Sequence, residues 1–136
     1  MAMALNQPNR VPARSLAGAT ILQLAPALRD DPAGHAAVDI ALTLLQSGAR
    51  AIVASDGGPL VGELRAFGGE WLPMPNDTIN PLRIKSNARA LAKLIAAERI
   101  DIVHAQSAGS AWSAISAVGR MPVFLVTSFP DQLAAD

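Results

Sequence analysis

Cysteine is absent from this 136-residue chain. That excludes a disulfide framework, a thiolate nucleophile and a thiolate metal site, and it fits a cytoplasmic protein. Net charge is absent too, since 11 Lys and Arg balance 11 Asp and Glu. No basic block recommends nucleic acid as a partner. No apolar run reaches the roughly 18 residues that span a bilayer. A secretory signal needs an apolar run of about 7–15 residues, and Asn6, Gln7, Pro8, Asn9 and Arg10 interrupt any such run near the start. The two histidines, His35 and His104, have neither His-x-x-x-His spacing nor nearby cysteine, so no metal site is expected.

Phosphate-binding motifs are missing as well. The loop after the first strand holds one glycine, Gly34, where a dinucleotide fold wants Gly-x-Gly-x-x-Gly. Gly57-Gly58-Pro59-Leu60-Val61-Gly62 has the wrong spacing and follows the second strand. There is no Gly-x-x-x-x-Gly-Lys-Ser/Thr loop and no Gly-x-Ser-x-Gly elbow. Asp30-Asp31 invites comparison with phospho-receiver domains, but no Asp ends the third strand and no Lys follows Lys93. No cofactor is expected.

What is present is apolar residues, 51% of the chain, in a repeating beat of strand, loop and helix. One domain fits the length. Residues 1–18 lack apolar periodicity and predict a disordered N-terminal tail; residues 19–136 predict the folded unit. Thr20–Pro26 predicts a strand stopped by Pro26. Val38, Ala41, Leu42 and Leu45 mark one face of a helix that His35 opens and Gly48 ends. Ala51–Ser55 is a second strand, Leu60–Phe67 a short helix, and Trp71–Met74 a third strand whose Pro73 suits an edge. Asn80-Pro81 reads as an N-cap and first-turn proline of a helix running to about Arg99. Ile100–Ala105 is the fourth strand, Ser110–Val118 a small-residue helix and Val123–Thr127 the fifth strand. Right-handed crossovers between parallel strands then give an α/β fold: a doubly wound, Rossmann-like parallel sheet in order 3-2-1-4-5, incomplete at the strand-five edge.

In that order the crevice lies where strands one and four part, between the loops Ala27–Gly34 and Gln106–Ser110. Asp30, Asp31, His35, His104, Gln106, Ser107 and Ser110 are the polar groups there; strand five adds Thr127, Ser128 and Asp131. Each has a plainer account. His104 lies inside a strand and reads as a packed imidazole bonded to a neighbouring loop. Asp30-Asp31 reads as an acidic pair at the positive end of a helix dipole. Trp71 and Trp112 read as core or edge packing, and Asp39 as surface. Lys85, Arg89 and Lys93 recur every four residues as one basic stripe, either a solvated face or a contact for an acidic acceptor or anionic lipid.

The chain resembles the N-terminal half of family-4 glycosyltransferases of the two-domain GT-B type. The resemblance runs through Ile21-Leu-Gln-Leu-Ala-Pro, Ala37-Val-Asp-Ile-Ala-Leu and Ala54-Ser-Asp-Gly-Gly-Pro-Leu-Val-Gly-Glu-Leu. It continues in Gly68-Gly-Glu-Trp-Leu-Pro-Met-Pro, Asn80-Pro-Leu and Asp101-Ile-Val-His-Ala-Gln-Ser. It covers about Ile21 to Thr127 and rests on the order and spacing of these pieces together. It implies an acceptor-side domain, with the nucleotide-sugar held mainly by a second domain that this sequence does not include. Asp31, His35, Gln106, Ser107, Ser110 and Ser128 are then the residues expected to meet a sugar or lipid-linked acceptor; no catalytic residue is assigned.

Two departures bear on chemistry. The family's Gly-Gly-x-Glu loop is replaced by Asp31-Pro32-Ala33-Gly34, and the family's His after strand five by Ser128-Phe129-Pro130-Asp131. A carboxylate at Asp31 repels a diphosphate, and Pro32 has no amide to offer. The expectation is a chain inactive by itself, cytoplasmic, with possible peripheral contact with the inner membrane through Lys85, Arg89 and Lys93. The alternative is a stand-alone, non-catalytic binding module that keeps the fold. Strand 123–127 is apolar along its length, which predicts covering by a second copy or by the donor half.

Overall fold

The computed structural model describes residues 15–119 and 121–128, so most of the expected tail and the final eight residues, Asp131 among them, lie outside the described residues. Five strands alternate with four helices: β1 Thr20–Leu24, α1 Pro32–Gln46, β2 Arg50–Ser55, α2 Val61–Ala66, β3 Glu70–Pro73, α3 Pro81–Glu98, β4 Ile102–Ala105, α4 Ala108–Val118 and β5 Phe124–Thr127. The sheet runs β3-β2-β1-β4-β5, and every pairing is parallel. This is the doubly wound Rossmann-like fold the alternation predicts.

The two faces have separate cores. Leu22, Leu24, Ile52, Ala54, Val103 and Ala105 face α3 and α4, meeting Ala88, Leu91, Ile95, Ala111, Ala114 and Ala117. Ala25, Ala51 and Val53 face α1 and α2, meeting Val38, Ala41 and Leu64. Strand residues thus alternate between two buried faces, which is why β1 reads as a continuous apolar run.

Several boundaries differ from the sequence reading. Strand β1 ends at Leu24, not Pro26; Ala25 N still donates to Ala54 O at 3.0 Å, so the chain leaves the ladder just before the proline. Helix α1 begins at Pro32, because Asp31 caps it and proline tolerates the first turn. Strand β4 begins at Ile102, since the Asp101 carboxylate accepts from Thr20 N at 2.8 Å and ties the strand's entrance to β1. Trp112 is not core. It is 59% exposed, because α4 turns its alanine stripe to the sheet. Trp71 is half-buried at the β3 edge, where its Nε1 donates to Ser55 Oγ at 3.0 Å and Arg65 lies 5.4 Å from its ring centre. Arg50 secures the far end of the sheet, donating to Glu70 on β3 at 2.6 and 2.7 Å and to Glu98 on α3 at 2.5 Å.

Candidate functional site

At the carboxyl ends of β1, β4 and β5 a line of polar side chains crosses the sheet. It starts at Gln23, fully buried one residue before the end of β1. Its Nε2 donates to Ala37 O of α1 at 3.1 Å, and its Oε1 accepts from Gln106 Nε2 at 2.5 Å. Gln106 Nε2 also lies 3.5 Å from His104 Nδ1, and His104 Nε2 lies 2.7 Å from Ser128 Oγ. An amide donor at Nδ1 favours the imidazole tautomer protonated on Nε2. That ring then donates to Ser128 Oγ and leaves the hydroxyl proton free to point outward. The parallel register places Gln23 beside His104 and His104 beside Val126, which brings the three strands' polar groups into reach.

Gln106 and Ser128 are held by backbone as well: Gln106 N donates to Leu24 O at 3.1 Å and Ser128 N to Ala105 O at 3.0 Å. Ser107 is the N-cap of α4, and Ser107 and Ser110 form a reciprocal capping box. Ser110 is fully buried, and its hydroxyl donates to Ser107 O at 3.0 Å. Gly109 sits in that first turn because the backbone of Thr78 presses against it: an added Cβ would lie 2.3 Å from Thr78 O.

The other two expected site residues belong to a separate group. Asp31 Oδ1 accepts from Gly34 N at 2.7 Å, so an amide at the start of α1 is already occupied by a carboxylate. Asp31 also lines a cleft of about 230 Å³ with Arg29, Asp56 and Asp77. His35 lies exposed on α1, its Nε2 2.6 Å from Asp30 Oδ1. Among the described residues, no hydrogen bond joins Asp31 or His35 to the Gln106 line. No three His, Asp or Glu side chains cluster as metal ligands among the described residues.

The sequence reading missed Gln23 and Asn76. Asn76 lies between β3 and α3 in a stretch with the composition of a turn, but it is buried and its Nδ2 reaches Ala25 O, Ala54 O and Met74 O at 3.3, 3.0 and 2.9 Å. It therefore clamps the carboxyl ends of β1, β2 and β3. For Gln23 the available signal was an amide inside Ile-Leu-Gln-Leu, since a buried polar group needs a partner.

The two imidazoles are pushed in opposite directions from the ordinary histidine value. Burial lowers His104, whereas the hydrogen bond to Asp30 raises His35. His104 is held neutral in the fold, so its contribution to stability is present above about pH 6.5 and lost as pH falls through its lowered pKa. His35 has the reverse sign: its contribution is present below about pH 6.5 and lost as pH rises through its raised pKa. An NMR titration of the two ring protons should give two curves on either side of that value. Coincident curves would contradict both environments.

Parallel strands in the order β3-β2-β1-β4-β5, with polar groups gathered at the switch between β1 and β4, define a Rossmann-like α/β domain. The model of Glycosyltransferase Family 4 matches residues 18–129, and the chain belongs to that family. It is similar to a glycosyltransferase from Rickettsia africae ESF-5, at 31% identity and a TM-score of 0.73, over 87% of this chain and 33% of that one. The chain thus spans one third of that relative's length. Two structures of the C-terminal domain of a Pyrococcus furiosus hydrogenase share the fold at 15% identity, with TM-scores of 0.64 and 0.62. These cover 87% and 88% of this chain and 97% and 96% of theirs. No curated protein matches the chain.

Proposed function

We propose that the chain is the acceptor-side half of a GT-B-type glycosyltransferase, which moves a glycosyl group from a nucleotide-sugar to a sugar or lipid-linked acceptor. The observation that carries this reading is the line from Gln23 through Gln106 and His104 to Ser128. It fixes one amide and one hydroxyl at the strand ends, and hydroxyl-rich ligands are bound by such fixed donors and acceptors. Gln106, Ser107 and Ser128 meet the acceptor, Ser110 holds their loop in shape, and Asp31 and His35 border the crevice from α1. Turnover needs the donor held beside the acceptor, so this chain alone is inactive.

The α1 start supports the lack of donor affinity. A helix N-terminus binds phosphate through free amides, but Gly34 N is taken by Asp31, and Asp56 and Asp77 add negative charge to the same cleft. Calorimetry with uridine or guanosine diphosphate should detect no micromolar binding. Micromolar affinity would overturn the assignment. The same capped amide favours the second reading, a non-catalytic binding module that keeps the fold.

Strand β5 is the outer strand, and it leaves Phe124 72% and Val126 48% exposed. We take this edge to be covered by a second copy or by the donor half. Leu125 packs towards the α3–α4 core, so Leu125→Lys would disturb the fold, whereas Val126→Lys changes the exposed side of the strand. Sedimentation should show self-association of the chain at high concentration that Val126→Lys weakens. A strict monomer that also fails to bind a donor half would rule out the covered edge.

A further inference from the structure

Ser128, His104 and Gln106 supply a hydroxyl, an imidazole and an amide, the groups of a nucleophilic triad, but they are joined with the opposite polarity. In such a triad the imidazole takes the proton of the hydroxyl at Nε2 and donates from Nδ1. Here Gln106 Nε2 lies 3.5 Å from His104 Nδ1, and His104 Nε2 lies 2.7 Å from Ser128 Oγ. The direction in which the protons run depends on the Gln106 amide, whose two ends are nearly the same shape. Its orientation is decided elsewhere in the fold.

The deciding group is the backbone of α1. A carbonyl only accepts, so Gln23 turns its Nε2 to Ala37 O at 3.1 Å and leaves its Oε1 facing Gln106. Gln106 must then offer a donor, and its Nε2 stands 2.5 Å from that oxygen. The second hydrogen of the same nitrogen is the one turned to His104 Nδ1. Turning Gln106 over would set its oxygen against Gln23 Oε1. Turning Gln23 over as well would set Gln23 Oε1 against Ala37 O. Each reversal leaves two acceptors face to face at a side chain with no exposed surface, where an unsatisfied polar group is most costly. The parallel register sets Gln23 beside His104, and the bond from Gln106 N to Leu24 O holds the loop against β1.

We propose that Gln23 is a positioning residue of the candidate site: it carries the polarity of the Ala37 carbonyl through Gln106 to His104, and so reserves the Ser128 hydroxyl proton for an acceptor atom of the ligand. A serine hydroxyl has one proton and two lone pairs. With His104 donating from Nε2, one lone pair is taken and the proton stays free at the exposed end of the line. With the opposite tautomer the proton would be spent on the ring, and Ser128 would only accept. The ligand group that meets Ser128 is therefore an acceptor oxygen, such as a sugar hydroxyl, a ring oxygen or an acetamido carbonyl. The same polarity denies His104 the role of base toward Ser128, because its Nε2 already carries a proton. Ser128 is a binding group and no nucleophile. That the ligand is a sugar rests on the function proposed above, whereas the polarity of the line does not.

The test is the tautomer of His104 in the full chain without ligand, read from the nitrogen shifts and long-range proton–nitrogen couplings of its ring. It is made at about pH 8, above the ordinary histidine value of about 6.5, and His35→Gln identifies which signals belong to His104. The parent should show a single tautomer, protonated at Nε2. Gln23→Met, close in size but apolar, withdraws the acceptor that orients Gln106 and should give a mixture of both tautomers. Gln23→Glu still accepts from Gln106, so it should keep the parent's tautomer despite its loss of stability. A ring protonated at Nδ1 or an even mixture in the parent would overturn the proposal. So would a tautomer that Gln23→Met leaves unchanged, or one that Gln23→Glu alters as much. Titration with glucose, galactose, mannose and N-acetylglucosamine is the second readout. A sugar that binds the parent should bind Gln23→Met about fivefold more weakly, the worth of roughly one neutral hydrogen bond, and equal affinity would overturn the link to Ser128. If no sugar binds the parent, the acceptor reading falls, while the tautomer still decides the role of Gln23.

Discussion

Gly109→Ala is expected to destabilise the fold by about 3 kcal/mol, the upper end of the roughly 1–3 kcal/mol typical of overpacking, because the atoms it meets cannot move aside. The added Cβ would meet Thr78 O, N and C at 2.3, 2.5 and 2.8 Å. All three are backbone atoms, so no side-chain rotamer relieves the clash. Relief requires α4 to move away from the loop before α3, which also shifts Ser107 and Gln106. The variant should therefore lose stability and disturb the candidate site together. Gly62→Ala is the matched control. Gly62 lies in α2 with nothing within 4 Å of an added Cβ, so alanine should stabilise there by about 0.5–1 kcal/mol through helix propensity. Urea unfolding of the two variants would separate them by opposite shifts in midpoint. Equal, small shifts would mean that the Thr78 approach is not a packing constraint.

Gln23→Glu is expected to cost about 2–4 kcal/mol at neutral pH, because it removes one donor and puts a carboxylate at a fully buried position. The two side chains have nearly the same shape, so packing is unchanged and the loss reports polarity alone. The lost donor is the Nε2 that reaches Ala37 O. Burial raises the introduced carboxyl group's pKa in the folded state above its value in the unfolded chain. The unfolded state therefore holds fewer protons, and the penalty shrinks as pH falls toward the unfolded value of about 4.3. Urea unfolding of parent and variant at pH 7 and pH 5 should show the gap narrowing at pH 5. A variant as stable as the parent at both values would mean that Gln23 is not held as described.

These two positions also mark what was legible in the sequence. The alternation of Thr20–Leu24, Arg50–Ser55, Ile102–Ala105 and Phe124–Thr127 with helical spacings carried the sheet order, because parallel strands buried on both faces leave continuous apolar runs. Gln23 was harder to read, since its partner Gln106 is 83 residues away and nothing local announces the pairing. Asn76 has the composition of a turn, and only the folded chain brings three strand ends to it. Trp112 misled for a different reason. Helix α4 has two candidate faces, Ala111/Ala114/Ala117 and Trp112/Ile115, and hydrophobicity favours the second. The sheet takes the first, because small side chains let α4 lie close against β4. The site divides in the same way: Asp31 was readable as a helix-start residue, whereas Ser107 reads as loop until the helix is seen to begin at Ala108, and the pairing of His104 with Ser128 depends on the β4–β5 register.

We propose that the strand ends carrying Gln106, Ser107 and Ser128 receive a sugar. Amide chemical-shift mapping tests it most directly, with the full chain titrated by glucose, galactose, mannose and N-acetylglucosamine and, separately, by uridine and guanosine diphosphate. At least one sugar should shift the amides of Gln106, Ser107 and Ser128 in a saturable way, while the nucleotides leave them in place. Saturable nucleotide shifts at these amides, with none from any sugar, would contradict it.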